Sequence, residues 1–196
     1  SHLHPCYTVA FLMTTPAAAS TLALRITPDA ERQIRFGHPW LYAQGITKQD
    51  REGRSGEFAV IYDRRNRFLA LGLYDPASPI RVRILQLHRP APITAAWLRD
   101  RFKRALSRRE ALSRTRTTAY RLVHGENDYV PGVVVDRYDQ VLVLKLYTAA
   151  WLPHMPMLID ALGIVESRSL VLRLSRTTQA AGAEFTDGMI VQGPTP

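Results

Sequence analysis

The chain has 196 residues, 46% hydrophobic and 22% charged, enough for one ordinary domain or two small ones. No apolar run reaches the roughly 18–20 residues of a membrane helix. The single cysteine, Cys6, excludes a disulfide framework or a cysteine-based zinc site and fits a reducing cytoplasm. Lys and Arg outnumber Asp and Glu by 26 to 17, a net charge of +9 that favours a polyanionic partner.

That charge is concentrated in one part of the chain. Residues 1–21 carry no Asp, Glu, Lys or Arg, whereas residues 22–121 carry 21 basic and 9 acidic side chains. Residues 122–196 carry 5 basic and 8 acidic ones, so a net of +12 is followed by a net of −3. Such an asymmetry suggests two units with different jobs. Arginine supplies 23 of the 26 positive charges; coding bias explains the preference over lysine but not its concentration before residue 122.

In chain order, residues 1–21 lack the basic start and long apolar stretch of a secretory signal, and read as a disordered tail or non-native leader. Met13 looks like a native start. His2, His4 and Cys6 lie in this tail, which lacks the second shell a metal site needs. Leu22–Ile26 alternates apolar and polar residues as a strand does, and Pro28-Asp29-Ala30-Glu31 opens a short helical turn. Phe58–Tyr62 and Phe68–Tyr74 are apolar runs joined by the polar residues 63–67, a hairpin pattern. Ile80–Leu87 follows as a strand with Ile80, Val82 and Ile84 on one face and Arg81 and Arg83 on the other, expected to be exposed. Several short strands at this spacing indicate a small β-barrel or sandwich.

Residues 94–112 form a helical pattern in which Leu98, Phe102, Ala105 and Leu112 make an apolar stripe. Arg101, Arg104 and Arg108 occupy a neighbouring face, so this helix reads as the join between two units. Beyond it the pattern is strand, strand, helix, strand, strand. Val133–Val135 and Val141–Tyr147 flank a turn at Asp136–Asp139. A helix over Pro153–Leu162 ends at Gly163, expected at positive φ, before strands at Leu170–Leu174 and Met189–Val191.

No catalytic constellation emerges. The glycines never fall as Gly-x-Gly, and His38, His88, His124 and His154 are isolated from one another. His124 with Glu126 can be drawn as an acid/base pair, though a hydrogen-bonded turn suits Gly125-Glu126-Asn127-Asp128 better. The electrostatics say more. Arg32 and Arg35 precede Phe36-Gly37-His38-Pro39-Trp40, Arg64, Arg65 and Arg67 sit on the hairpin tip, and Arg81 and Arg83 share a strand face. Guanidinium planes beside aromatic rings suit RNA, where phosphates attract and splayed bases stack. The competing reading makes Trp40 and Phe36 core residues, the better reading for Trp40, with the arginines solvating the barrel.

Three stretches carry a resemblance. They are Arg35-Phe36-Gly37-His38-Pro39-Trp40-Leu41-Tyr42; residues 56–63 with 70–83, from Gly56-Glu57-Phe58 to Arg81-Val82-Arg83; and residues 120–138, from Tyr120-Arg121-Leu122 to Asp136-Arg137-Tyr138. Their order and spacing resemble the N-terminal half of the class I SAM-dependent large-subunit ribosomal RNA methyltransferases that make 5-methylcytosine. The resemblance implies an α+β fold: a PUA-like RNA-binding barrel over residues 22–90, a linker helix over 91–117, and a central strand-strand-helix-strand-strand domain over 118–196. In that family the SAM-binding motifs and the catalytic cysteine lie beyond the stretch that this chain matches. The family's acidic-Gly element corresponds here to Asp187-Gly188.

The expectations are therefore these. The chain is the RNA-binding portion of a cytosine methyltransferase of ribosomal RNA, with no catalytic residue, cofactor or metal of its own and no methyl transfer by itself; S-adenosylmethionine belongs to the full-length family. Its RNA contacts are Arg32, Arg35, His38, Arg64, Arg65, Arg81 and Arg83, made largely to phosphates, which position without reading sequence. The expected location is cytoplasmic, with no membrane partner and with a second copy of the chain as a further candidate partner. The rival readings are a free-standing RNA-binding protein and a basic module that docks an acidic protein.

Overall fold

Burial alternates along Leu22–Ile26, with Leu22, Leu24 and Ile26 inward, and this makes the first strand, β1. In the computed structural model, which describes residues 21–180 and 184–196, β1 belongs to a six-stranded sheet. The other strands are β2 (Trp40–Tyr42), β3 (Ile46–Gln49), β4 (Phe58–Tyr62), β5 (Phe68–Tyr74) and β6 (Ile80–Leu87), in the order β2-β6-β5-β4-β1-β3. Every pair is antiparallel except β1 with β4. The expected hairpin is present as β4 and β5, with Asn66 at positive φ in its tip. Helix α1 (Pro28–Arg35) starts where Thr27 Oγ1 accepts the Ala30 N–H at 3.2 Å, and its Ala30 and Ile34 enter the core among Leu24, Leu41, Ile61 and Val82. The expectations for His2, His4, Cys6 and Met13 lie outside the described residues.

Helix α2 (Ala95–Arg108) is capped by Thr94, and a short α3 (Glu110–Ser113) follows it. The second sheet runs β11-β10-β9-β8-β7, from β7 (Ala119–His124), β8 (Val133–Tyr138), β9 (Val141–Leu146), β10 (Ser169–Leu174) and β11 (Ile190–Gln192). Strand β7 is an addition to the sequence pattern, and α5 (Arg176–Gln179) is a single turn. A 3-10 turn at Ala149–His154 and helix α4 (Met155–Leu162) cross from β9 to its parallel neighbour β10. Strand β8 extends to Tyr138, so the turn after it lies later than expected, with Asp139 at positive φ. Gly163 ends α4 at φ −57, within the right-handed region, so the expected left-handed cap is corrected: its N–H reaches back to Ile159 and Asp160 carbonyls without reversing the chain's hand.

The two sheets share a core. Leu98, Phe102 and Ala105 of α2 and Leu158, Ala161 and Leu162 of α4 cover β7–β10, so the join helix packs against the second unit. Leu73 of β5 and Leu85 of β6 belong to this same cluster, with Phe58 of β4 packed against it. The outer face of the barrel's β5–β6 ribbon is thus roofed by the second unit. That overturns the expectation of an exposed β6 face. Arg83 is only 6% exposed, 4.0 Å from Asp75, and Thr148 donates to the same Asp75 at 2.5 Å. Trp40 Nε1 donates to Glu126 at 2.9 Å, and His154 stacks on Phe58 while its Nε2 donates to the Gly56 carbonyl at 2.7 Å. Burial pushes the His154 imidazole pKa down, against the opposite influence of its bond to the Gly56 carbonyl.

Candidate nucleic-acid interface

Of the expected RNA contacts, Arg32, Arg35 and His38 lie on α1 and the turn after it, Arg64 and Arg65 on the hairpin tip tied to α1 through Glu31, and Arg81 and Arg83 on β6, which pairs with β2. Arg32 and His38, with Gln33, Phe36 and Gly37, line an open hollow of about 340 Å³. Phe36 is 86% exposed, against the competing reading of it as a core residue: α1 ends at Arg35 and the chain turns outward through Gly37 at φ +89. Such a turn carries the ring away from the sheet, and glycine supplies the left-handed conformation without steric cost.

Beside the hollow, two buried carboxylates organise the arginines. Glu31 accepts from Arg35 and Arg64, and Asp63 accepts from Arg35 and Arg67. The Arg67 backbone N–H is the foremost influence on Asp63, holding it at about 2; the Arg65 N–H and Arg67 side chain act in the same sense against burial. Burial alone would raise Glu31, but the bonds from Arg35 and Arg64 outweigh it and hold the carboxyl below its usual range. The result ties the hairpin tip to α1. Arg35, Arg64, Arg65 and Arg67 against Glu31 and Asp63 leave a net +2, and of these four only the Arg65 side chain has no partner among the described residues. Arg32 pairs with Asp29 in the open, and Arg81 bonds the Pro76 carbonyl.

His124 and Glu126 do not form an acid/base pair. His124 Nδ1 meets the Asn127 amide at 3.2 Å, whereas Glu126 is taken by Trp40. Trp40 is thereby committed to the seam between units. Among the described residues no group of three or more His, Cys, Asp or Glu could hold a metal ion, and no helix is long and apolar enough to cross a membrane.

A second arginine region lies on α2, outside the RNA contacts expected from the sequence. Trp97, Arg101, Arg104 and Arg108 recur at helical spacing and form one stripe. Arg101 lies over Trp97 at 4.6 Å, and Arg101 and Arg108 flank Tyr129 at 5.9 and 5.7 Å. Asp128, buried just before Tyr129, accepts from Arg108, from Arg109 and from the His124 N–H, which pins the loop to the helix. Tyr129 then closes the 3-10 turn Gly125–Asp128 at φ +60, ψ 30. A side chain there costs about 1 kcal/mol relative to glycine. The ring recovers little of that by burial, being 60% exposed. The only signal for it in sequence was an aromatic residue directly after a turn-forming Gly-Glu-Asn-Asp.

Comparisons with known proteins fit this arrangement. Residues 24–87 match the family model of a PUA-like domain. A Deinococcus radiodurans protein named "Ribosomal RNA large subunit methyltransferase" is 46% identical over 190 residues, covering 92% of this chain and 47% of that protein. A Photobacterium profundum "Ribosomal RNA large subunit methyltransferase I" is 32% identical over 146 residues, covering 74% and 37%. Among solved structures, a chain described as a SAM-dependent methyltransferase from Streptococcus mutans superposes with a TM-score of 0.74 at 15% identity, covering 89% of this chain and 44% of its own. The chain spans about half the length of the curated relatives it matches. Its first unit is a PUA-like domain, joined to a small second sheet in an α+β fold shared with a methyltransferase structure.

Proposed function

We propose that this chain is the RNA-holding portion of a SAM-dependent methyltransferase that forms 5-methylcytosine in large-subunit ribosomal RNA. The observation that carries this reading is the match to the Deinococcus radiodurans relative, which runs across both units rather than the barrel alone. The chemistry of the surface supports it. Arg32 and His38 line a hollow with the exposed Phe36, and Arg35, Arg64 and Arg65 lie on α1 and the hairpin tip tied to it, a set that can hold phosphates without reading bases. Arg83 is left out of this set because it is buried against Asp75. Arg81 stays at the margin, tied to Pro76.

The proposed role does not include binding of the methyl donor. The two strands that lead directly into α-helices do so through Thr27 and Ser175, whose side chains cap α1 and α5, and neither junction contains glycine. Methyl transfer is likewise outside the role proposed for this chain. Its contribution is positional: holding structured RNA raises the effective concentration of the target base at a neighbouring active site. The target must be single-stranded or flipped for its edge to be reached.

The test is a chimera in which this chain replaces the matching portion of the Deinococcus radiodurans relative. Incubated with SAM and large-subunit ribosomal RNA, it should yield 5-methylcytosine by nucleoside mass spectrometry, while the chain alone should bind the RNA and yield none. A different methylated nucleoside would overturn the product. RNA binding without methylation by the chimera would favour a free-standing RNA-binding protein.

A further inference from the structure

We propose that the α2 stripe with Tyr129 is a second RNA contact, a stacking site for an unpaired nucleotide beside the double-stranded or structured RNA held by the barrel. The inference rests on the RNA reading above and adds to it a place and a substrate class.

Three independent observations converge on the site. Tyr129 is a bulky, exposed residue in a left-handed conformation, and strain of this kind gathers where a side chain is needed for binding. The turn itself asks only for positive φ, which glycine or asparagine meets more easily. The cations around the ring are also unusually unspent. Arg104 has no hydrogen-bond or ion-pair partner among the described residues. Arg101 has no carboxylate partner there; it reaches only Gln86 at 3.5 Å, and its buried Nε has no partner at all. Burial and the neighbouring Arg104 lower the Arg101 pKa, against the opposite pull of Asp100 and Tyr129.

The site is also held in place. Gln86 Oε1 accepts from Trp97 Nε1 at 3.1 Å, so α2 is fixed to β6 of the barrel. Asp128 fixes the Tyr129 loop to the other end of the stripe. A flat base can lie on the open part of the Tyr129 ring, with its phosphate against Arg104 and Arg101. This combination of ring and guanidinium grips a single strand without preference for sequence. A continuous duplex keeps its bases stacked inside and cannot use the ring.

The experiment uses the full 196-residue chain and two fluorescein-labelled probes, a short single-stranded oligouridine and a blunt RNA duplex of equal length. Tyr129→Gly should weaken oligouridine binding on the order of tenfold, the size expected for loss of one stacked base, and leave duplex binding unchanged. Its melting temperature should not fall, because glycine relieves the left-handed strain. Tyr129→Phe should keep near-normal oligouridine affinity. Arg104→Glu should weaken oligouridine binding at an unchanged melting temperature. Unaltered oligouridine affinity in both Tyr129→Gly and Arg104→Glu, with duplex binding intact in the parent chain, would overturn this site and leave the barrel reading standing. Failure of the parent chain to bind either probe would overturn both.

Discussion

The two arginine regions differ in what they are tied to. At the α1 end, Glu31 and Asp63 accept from Arg35, Arg64 and Arg67 within 3.2 Å, and those arginines join helix to hairpin as much as they face solvent. At α2, Asp128 takes Arg108 and Arg109, while Arg101 and Arg104 have no carboxylate in an ion pair among the described residues. Runs of arginine that look alike in sequence thus have different amounts of charge to offer. A salt-bridged guanidinium is pre-oriented and still presents spare N–H groups, which suits a rigid phosphate array. An unpaired one adds more attraction per residue and more salt dependence.

The largest effect expected concerns the pin of the second region. Asp128→Ala should cost about 3 kcal/mol in chemical denaturation, at the low end for breaking a buried ion pair because Arg108 and Arg109 retain some water. It should also loosen the Tyr129 loop and weaken single-strand binding. In the first region, Asp63→Asn should lower the melting temperature yet leave RNA affinity equal or higher, since it releases Arg35 and Arg67. A parallel loss of affinity would break the comparison, because it would mean that those arginines bind RNA only while held.

Acid sharpens it further. Asp63 is held at about 2 and Glu31 and Asp128 below their usual values, each lower in the folded chain than in the unfolded one. Their stabilisation is complete above the unfolded values and is lost as pH falls through about 4 towards 2. Unfolding monitored by circular dichroism should follow that window, and Asp63→Asn should make the decline shallower. The smallest effect belongs to the open Arg32–Asp29 pair: Arg32→Ala should change stability by no more than about 0.5 kcal/mol.

Much of the barrel was legible because its strands alternate cleanly. Leu22, Leu24 and Ile26 face inward, and the residues between them do not. What alternation could not show is what covers the other face. Alternation puts Arg83 on the side of β6 opposite Val82, and that side meets the second unit. A register shift in the β5–β6 pairing, where Leu71 meets Gln86 and Gly72 meets Ile84, leaves Leu85 as an extra residue and breaks the period beyond it. Strand β7 was hidden by a similar shift between Arg121 and Val123. Phe36 and Tyr129 were hard to place for a shared reason: each ring's exposure follows from a turn's direction, which hydrophobicity does not encode. The stretch from Tyr120 to Tyr138 carried the resemblance, yet its Tyr129 gained meaning only once α2 was seen against it.

The most direct test of the account is the salt dependence of RNA binding, measured on one RNA that joins a duplex to a single-stranded overhang. A chain that holds RNA through both regions should show log K falling steeply and linearly with log salt. Arg65→Ala and Arg104→Ala should each reduce that slope by about one, and the double variant by about two. A flat salt dependence, or a slope unmoved by either substitution, would contradict it.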